Sequence, residues 1–138
     1  MIEKSLQYNQ IREALLLAIP EIRDGIREKF GTYYNLDLEM PDAYPIFEDV
    51  LKPLLLKSLE DQREETYTAR IFDFLEAMAN SPDPNVSRDL LCIAVLEPLV
   101  FNRKAIREAW QHMGPRTREL ARAEAATQGH GDYIPIDS

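Results

Sequence analysis

Apolar residues recur along this chain at steps of three and four almost throughout, the spacing that lays one stripe along a helix. Between Leu6 and Phe30 the stripe is Ile11, Leu15, Ala18, Ile19, Ile22 and Ile26. Pro20 interrupts it. Proline lacks an N–H and its ring clashes with the preceding turn, so the pattern predicts a kink or two helices meeting there. Gly31 follows Phe30 and predicts closure of that helix in the left-handed conformation. From Thr32 to Pro45 the density of Pro, Asn and Asp predicts a loop, and it is the most aromatic part of the chain. A second helix is expected from Pro45 to Leu59, with Phe47, Val50, Leu51, Leu54, Leu55 and Leu59 on its apolar positions and a bend at Pro53. A polar, mostly acidic linker, Glu60 to Glu65, separates it from a third helix, Thr66 to Ala79, which carries Ile71, Phe74, Leu75 and Met78.

The run Asn80-Ser81-Pro82-Asp83-Pro84-Asn85 reads as a stop and a restart. Asp83 can accept hydrogen bonds from the free amides of the next helix, and Pro84 suits its first position. The fourth helix, Pro84 to Val100, is apolar nearly all round, which predicts a central buried helix that Pro98 ends or kinks near Glu97. A fifth follows from Arg103 to His112, with Ile106, Trp110 and Met113 facing inward. Gly114-Pro115 marks another restart, and a sixth helix runs to Ala126. That last helix is short of large apolar groups, with Leu120 its main anchor, and is expected at the periphery. Period-two alternation is missing; Tyr133-Ile134-Pro135-Ile136 would make at best an edge strand, which Pro135 weakens. The expected fold class is all-α: a single domain over residues 1–126, with five to seven antiparallel helices, and a mobile tail over 127–138.

A chain of 138 residues fits one domain and buries enough surface to need no metal or disulfide staple. Its one cysteine, Cys92, excludes an internal disulfide framework. The longest uninterrupted apolar run, Leu90 to Leu96, is too short to span a bilayer, and the first residues lack the apolar core of a signal peptide. These features predict a cytoplasmic protein with no membrane association. A net charge of −8 argues against a nucleic-acid binder that works by neutralising phosphates.

Few residues offer chemistry. Glu108 and His112 stand four apart on one helix and could pair, but a metal site needs three or four ligands and no His-Glu-x-x-His motif is present. His130 lies between glycines in the tail. Cys92, within Leu-Leu-Cys-Ile-Ala, reads as a small core residue whose thiol burial would keep protonated. Asp73 and Glu76 share a helix face expected to be solvated. Glu97 ends a long apolar run and needs a partner if buried, with Arg70, Arg103 and Lys104 the candidates. Phosphate-cradling glycine loops and Gly-x-Ser-x-Gly are absent from the sequence. The expectation is a protein without catalytic residues, metal or cofactor.

Charge distribution says more. From Asp37 to Glu65 nine acidic residues stand against three basic ones, and from Val100 to Thr127 six basic residues stand against three acidic ones. The acidic stretch is interleaved with tyrosines, which offer contact area while carboxylates steer a basic partner. The partner-binding residues expected on this ground are Glu48, Asp49, Glu60, Asp61, Glu64, Glu65, Tyr33, Tyr34 and Tyr44. The alternative is a solvated acidic face with tyrosines at the core edge. The basic residues Arg103, Lys104, Arg107, Arg116, Arg118 and Arg122 are expected in helix salt bridges.

Two resemblances extend this reading. Asp83 to Leu96 is similar to the second helix of a HEAT repeat in its opening Asp83, in Val86, and in the small and aliphatic Leu90 and Ala94, though Ser87 stands where that pattern has arginine. The runs Arg70–Ser81, Val95–Leu99 and Met113–Thr117 resemble blocks in small bacterial helical families associated with polymorphic-toxin immunity proteins. That resemblance implies a cytoplasmic binder that neutralises a cognate toxin; joined to the acidic stretch, it gives a non-catalytic inhibitor expected to occlude a basic toxin domain. Scaffold or regulatory adaptor is the other reading, and the chain could be a monomer or a homodimer.

Overall fold

Leu90, Leu91, Ala94, Val95, Leu96 and Val100 have no exposed surface at all, and the rest of the molecule is arranged around the helix that carries them. The computed structural model describes residues 6–31, 40–60 and 65–135, with the backbone alone for 65–67. Among these, seven helices and no strand occur, so the fold is all-α. They are α1 (Ile11–Ala18), α2 (Ile22–Phe30), α3 (43–60), α4 (Glu65–Ala79), α5 (85–100), α6 (Arg103–Trp110) and α7 (Pro115–Thr127), with single 3₁₀ turns at Tyr8–Gln10 and Gly131–Tyr133. The central α5 packs against α3, α4, α6 and α7, and the buried side chains of all seven helices form one hydrophobic cluster. Among the described residues no helix is long and apolar enough to cross a membrane.

Pro20 separates α1 from α2, as its missing donor requires. The other two internal prolines act differently. Both α3 and α5 continue through a proline, and in each the turns before it are widened into a π-helix, over Phe47–Leu51 and Asn85–Leu96. The Lys52 N–H reaches back to the Phe47 carbonyl and the Glu97 N–H to the Cys92 carbonyl, five residues away rather than four. A proline ring crowds the carbonyl four residues before it, and the wider turn gives that ring room. A fresh α-turn, Glu97–Val100, then opens with Pro98 in its first positions, where the missing N–H goes unnoticed. Pro98 therefore does not end the fourth predicted helix.

Two more expectations are revised by packing. Gly31 closes α2 in the right-handed region (φ −62°), its N–H bonded to the Arg27 carbonyl at 2.9 Å. The last helix is not peripheral: Thr117, Ala121 and Ala125 are fully buried, while Leu120 is only half-buried. Small side chains let α7 lie close on α4 and α5, so a shortage of large groups marks tight packing here.

The segment expected to be a mobile tail turns back at Gly129. Its φ of +79° suits glycine, and the His130 N–H bonds to the Ala125 carbonyl (2.7 Å) while the Gly129 N–H bonds to that of Ala126 (3.2 Å). This is a Schellman closure of α7, and it redirects the chain onto the core. There Tyr133 and Ile134 are half-buried, and the His130 ring stacks on Tyr133 and meets Phe101 edge-on.

Candidate functional site

Helix α3 carries Glu48, Asp49 and Glu60 of the acidic stretch, with Asp42 just before it, and a cavity lies along each of two sides of this ridge. On one flank α2 lies very near, because Gly25 has no side chain: a Cβ there would stand 2.4 Å from Val50 Cγ1. The groove along this contact has a volume of about 350 Å³ and an apolar floor of Val50, Pro53 and Leu54. Asp24, Glu28 and Lys29 of α2 and Asp49 and Lys57 of α3 also line it. Glu21 also lines it but is held by Arg70 of α4, whose Nη1 donates at 2.9 Å while Nη2 donates to the second carboxylate oxygen. That hydrogen bonding by Arg70 holds the Glu21 carboxyl below its usual range.

On the other flank α3 meets α6. A cavity of about 410 Å³ opens there over Leu56, Leu59 and Ala105, with Glu60 and Glu108 on its rim and Asn102 and Lys104 at the start of α6. The Asn102 side chain caps that helix, accepting from the Ala105 N–H at 3.0 Å.

Glu48 neighbours Asp49 in sequence but does not line the groove with it; its charge acts on Tyr44 instead. It shares a corner with Tyr44, Tyr8 and Asp89, the Tyr8 and Tyr44 rings standing 6.5 Å apart. Burial pushes the Tyr44 hydroxyl above its ordinary pKa, and the charges of Asp89 and Glu48 add to this. Arg12 fixes the approach to this corner, its Nη1 donating to the carbonyls of Met40 (3.0 Å) and Pro41 (2.9 Å). Of the partner-binding residues expected from sequence, then, Glu48 and Tyr44 share a corner, Asp49 lines one flank and Glu60 the other. Glu48 and Asp49 both ride on the π segment of α3. Tyr33, Tyr34, Asp61 and Glu64 lie outside the described residues, as does the side chain of Glu65.

Residues weighed for chemistry are scattered. Asp73 is exposed, and the exposed His112 stacks on Phe72, with ring centroids 5.3 Å apart. Glu97 is half-buried; of its expected partners, Arg70 holds Glu21 and the Arg103 guanidinium lies 5.4 Å over the Tyr133 ring. Cys92 is half-buried, and burial, helped by the Glu124 charge, raises its thiol to about 11. Among the described residues no group of three or more His, Cys, Asp or Glu side chains could hold a metal ion. The basic residues divide. Arg116 pairs with Glu119, whereas Arg118 and Arg122 lie 5.1 and 5.2 Å over the Trp110 ring, a cation–π role the salt-bridge expectation missed.

Glu76 is the other departure. Expected on a solvated face, it reaches from α4 to the start of α7 and caps it. Its carboxylate accepts from the N–H groups of Arg116 (3.1 Å) and Thr117 (2.9 Å), from Thr117 Oγ1 (2.7 Å) and from Asn80 Nδ2 (3.2 Å). Burial pushes this carboxyl up, but the hydrogen bonds from Thr117, Arg116 and Asn80 outweigh it and hold the group below its ordinary value. Gly114 leaves the space: a Cβ there would stand 2.5 Å from Glu76 Cδ. Gly114-Pro115 preceded by a distant glutamate was the only sequence signal, and nothing in the spacing says which glutamate.

The molecule is all-α, with carboxylates lining two cavities beside one helix. The chain belongs to the family described as a domain of unknown function (DUF7674), which matches residues 12–130. No curated protein and no solved structure matches it.

Proposed function

We propose that this chain is a non-catalytic protein-binding domain that holds a basic partner across the α3 ridge. The observation that carries the reading is the pair of cavities flanking α3. Each has an apolar floor and carboxylates contributed by two helices: Asp49 with Asp24 and Glu28 on one side, Glu60 with Glu108 on the other. Apolar floors supply contact area, and the carboxylates steer a basic surface and fix its register. The mechanism is occlusion, with the ridge seated in a basic cleft. The finer reading is an immunity-type inhibitor acting in the cytoplasm on a basic toxin domain; the resemblance of Arg70–Ser81, Val95–Leu99 and Met113–Thr117 to immunity-associated families supports it.

The test is affinity capture from the native host with two baits in parallel, the wild type and the triple variant D24K/E28K/D49K. The reading expects a basic chain recovered by the wild type and lost by the variant, with affinity for the purified partner reduced about tenfold or more. Equal recovery on both baits contradicts it. A scaffold or adaptor, the other class, would self-associate; gel filtration at the monomer mass of 15.9 kDa favours the inhibitor.

A further inference from the structure

We infer that the cavity between α3 and α6 is an anchor pocket for one basic side chain, arginine or lysine, of the protein partner. The inference rests on the reading of α3 as a partner-binding ridge, and adds what one flank of that ridge recognises. The floor, Leu56, Leu59 and Ala105, is apolar and matches the methylene stem that both basic side chains carry below the charge. Glu60 comes from α3 and Glu108 from α6, so the rim offers carboxylates from two separate helices to one cationic head. Among the described lining residues Lys104 is the one cation beside the two carboxylates. It lies on the same helix as Glu108, four residues before it, and competes with an incoming cation for the rim carboxylates. The neighbouring Arg103 lies over Tyr133 instead. At about 410 Å³ the cavity is within the usual size of a ligand pocket, about 300–1,000 Å³, and ample for one long side chain. Interfaces commonly concentrate their energy in arginines buried in such pockets.

The experiment follows the backbone amides of the full ¹⁵N-labelled chain by NMR at low salt. Three probes are titrated in: N-acetyl-arginine amide, N-acetyl-lysine amide and N-acetyl-glutamate amide. The two cationic probes are expected to shift the amides of Leu56, Leu59, Glu60, Ala105 and Glu108, and the anionic probe to leave them unmoved. Glu60→Gln combined with Glu108→Gln should weaken the cationic probes about fivefold or more. Lys104→Gln should tighten them about two- to fivefold, a gain that a folding defect cannot imitate. Asp73→Asn, on the exposed face of α4 and in neither cavity, should change nothing. Still amides in the cavity, equal shifts with the glutamate probe, or affinity indifferent to Glu60 and Glu108 would each overturn the inference. If the D24K/E28K/D49K bait loses its partner while the cavity amides stay still, the pocket falls and the ridge reading stands. If the cavity binds cations but both baits capture alike, the ridge reading falls, and with it the assignment of this cation site to the partner.

Discussion

Replacing Glu76 should unfasten α7 from α4, and the structure sets the size of the effect. In Glu76→Ala the amides of Arg116 and Thr117 lose their acceptor, as does the hydroxyl of Thr117, a residue with no exposed surface. Loss of a helix cap costs about 0.5–2 kcal/mol. A buried donor left without an acceptor costs about 1–3 kcal/mol more. Water can reach part of the vacated space, because Glu76 is itself only half-buried, so the combined loss is about 2–4 kcal/mol. For a chain of this size that lowers Tm by roughly 8–16 °C. Glu76→Gln keeps one oxygen acceptor and should lose about half as much. The two variants also differ from the wild type in pH dependence. Because the folded carboxyl is held below its ordinary value, its contribution is present above the unfolded pKa of about 4.3 and is lost as pH falls through the folded one. Urea unfolding of wild type and Glu76→Gln at pH 7 and pH 3 measures this. The gap between them should be clear at pH 7 and should shrink toward pH 3. Equal stability at pH 7, or a gap of the same size at both pH values, refutes the assignment of Glu76 as the cap.

The same interface makes Gly114→Ala destabilising by about 1–3 kcal/mol, since the added Cβ displaces the Glu76 carboxylate; combined with Glu76→Gln the losses should fall short of additive in urea unfolding. Asp83 accepts from the N–H groups of Tyr8 (2.8 Å) and Asn85 (3.0 Å), so Asp83→Ala should cost about 1–2 kcal/mol and speed hydrogen exchange at the Tyr8 amide. With its thiol raised to about 11, Cys92 should react with a disulfide reagent at pH 8 far more slowly in the folded chain than in urea.

Periodicity alone placed the helices, because each buries one stripe and the stripe is written in steps of three and four. Local chemistry placed the break at Pro20 and the Asp83 turn, whose carboxylate does bond the Asn85 amide. What depends on a second element was hidden. So was the form of the two proline irregularities: the bend expected at Pro53 and the end or kink expected at Pro98 are met by widened turns within α3 and α5. Leu120 outranks Ala121 and Ala125 by hydrophobicity, yet the alanines are the buried ones, because close approach to α4 and α5 favours small groups. Glycine near the C-terminus suggested mobility, whereas Gly129 closes a helix and sends Tyr133 onto the core. The acidic stretch was visible as composition, but its division over two flanks and a corner of α3 was not: adjacent residues such as Glu48 and Asp49 diverge around a helix and meet different neighbours. Asp24, Glu28 and Glu108, which complete the two rims, lie outside that stretch, and Glu108 stands out in sequence only for its spacing to His112.

Hydrogen exchange of the full chain, with and without the basic partner recovered by the wild-type bait, tests the ridge most directly. Protection is expected to rise along α3 from Glu48 to Glu60, and in α2 and the start of α6 that face it. Protection confined to α7 and the C-terminal turn, with α3 exchanging at its free rate, would contradict it.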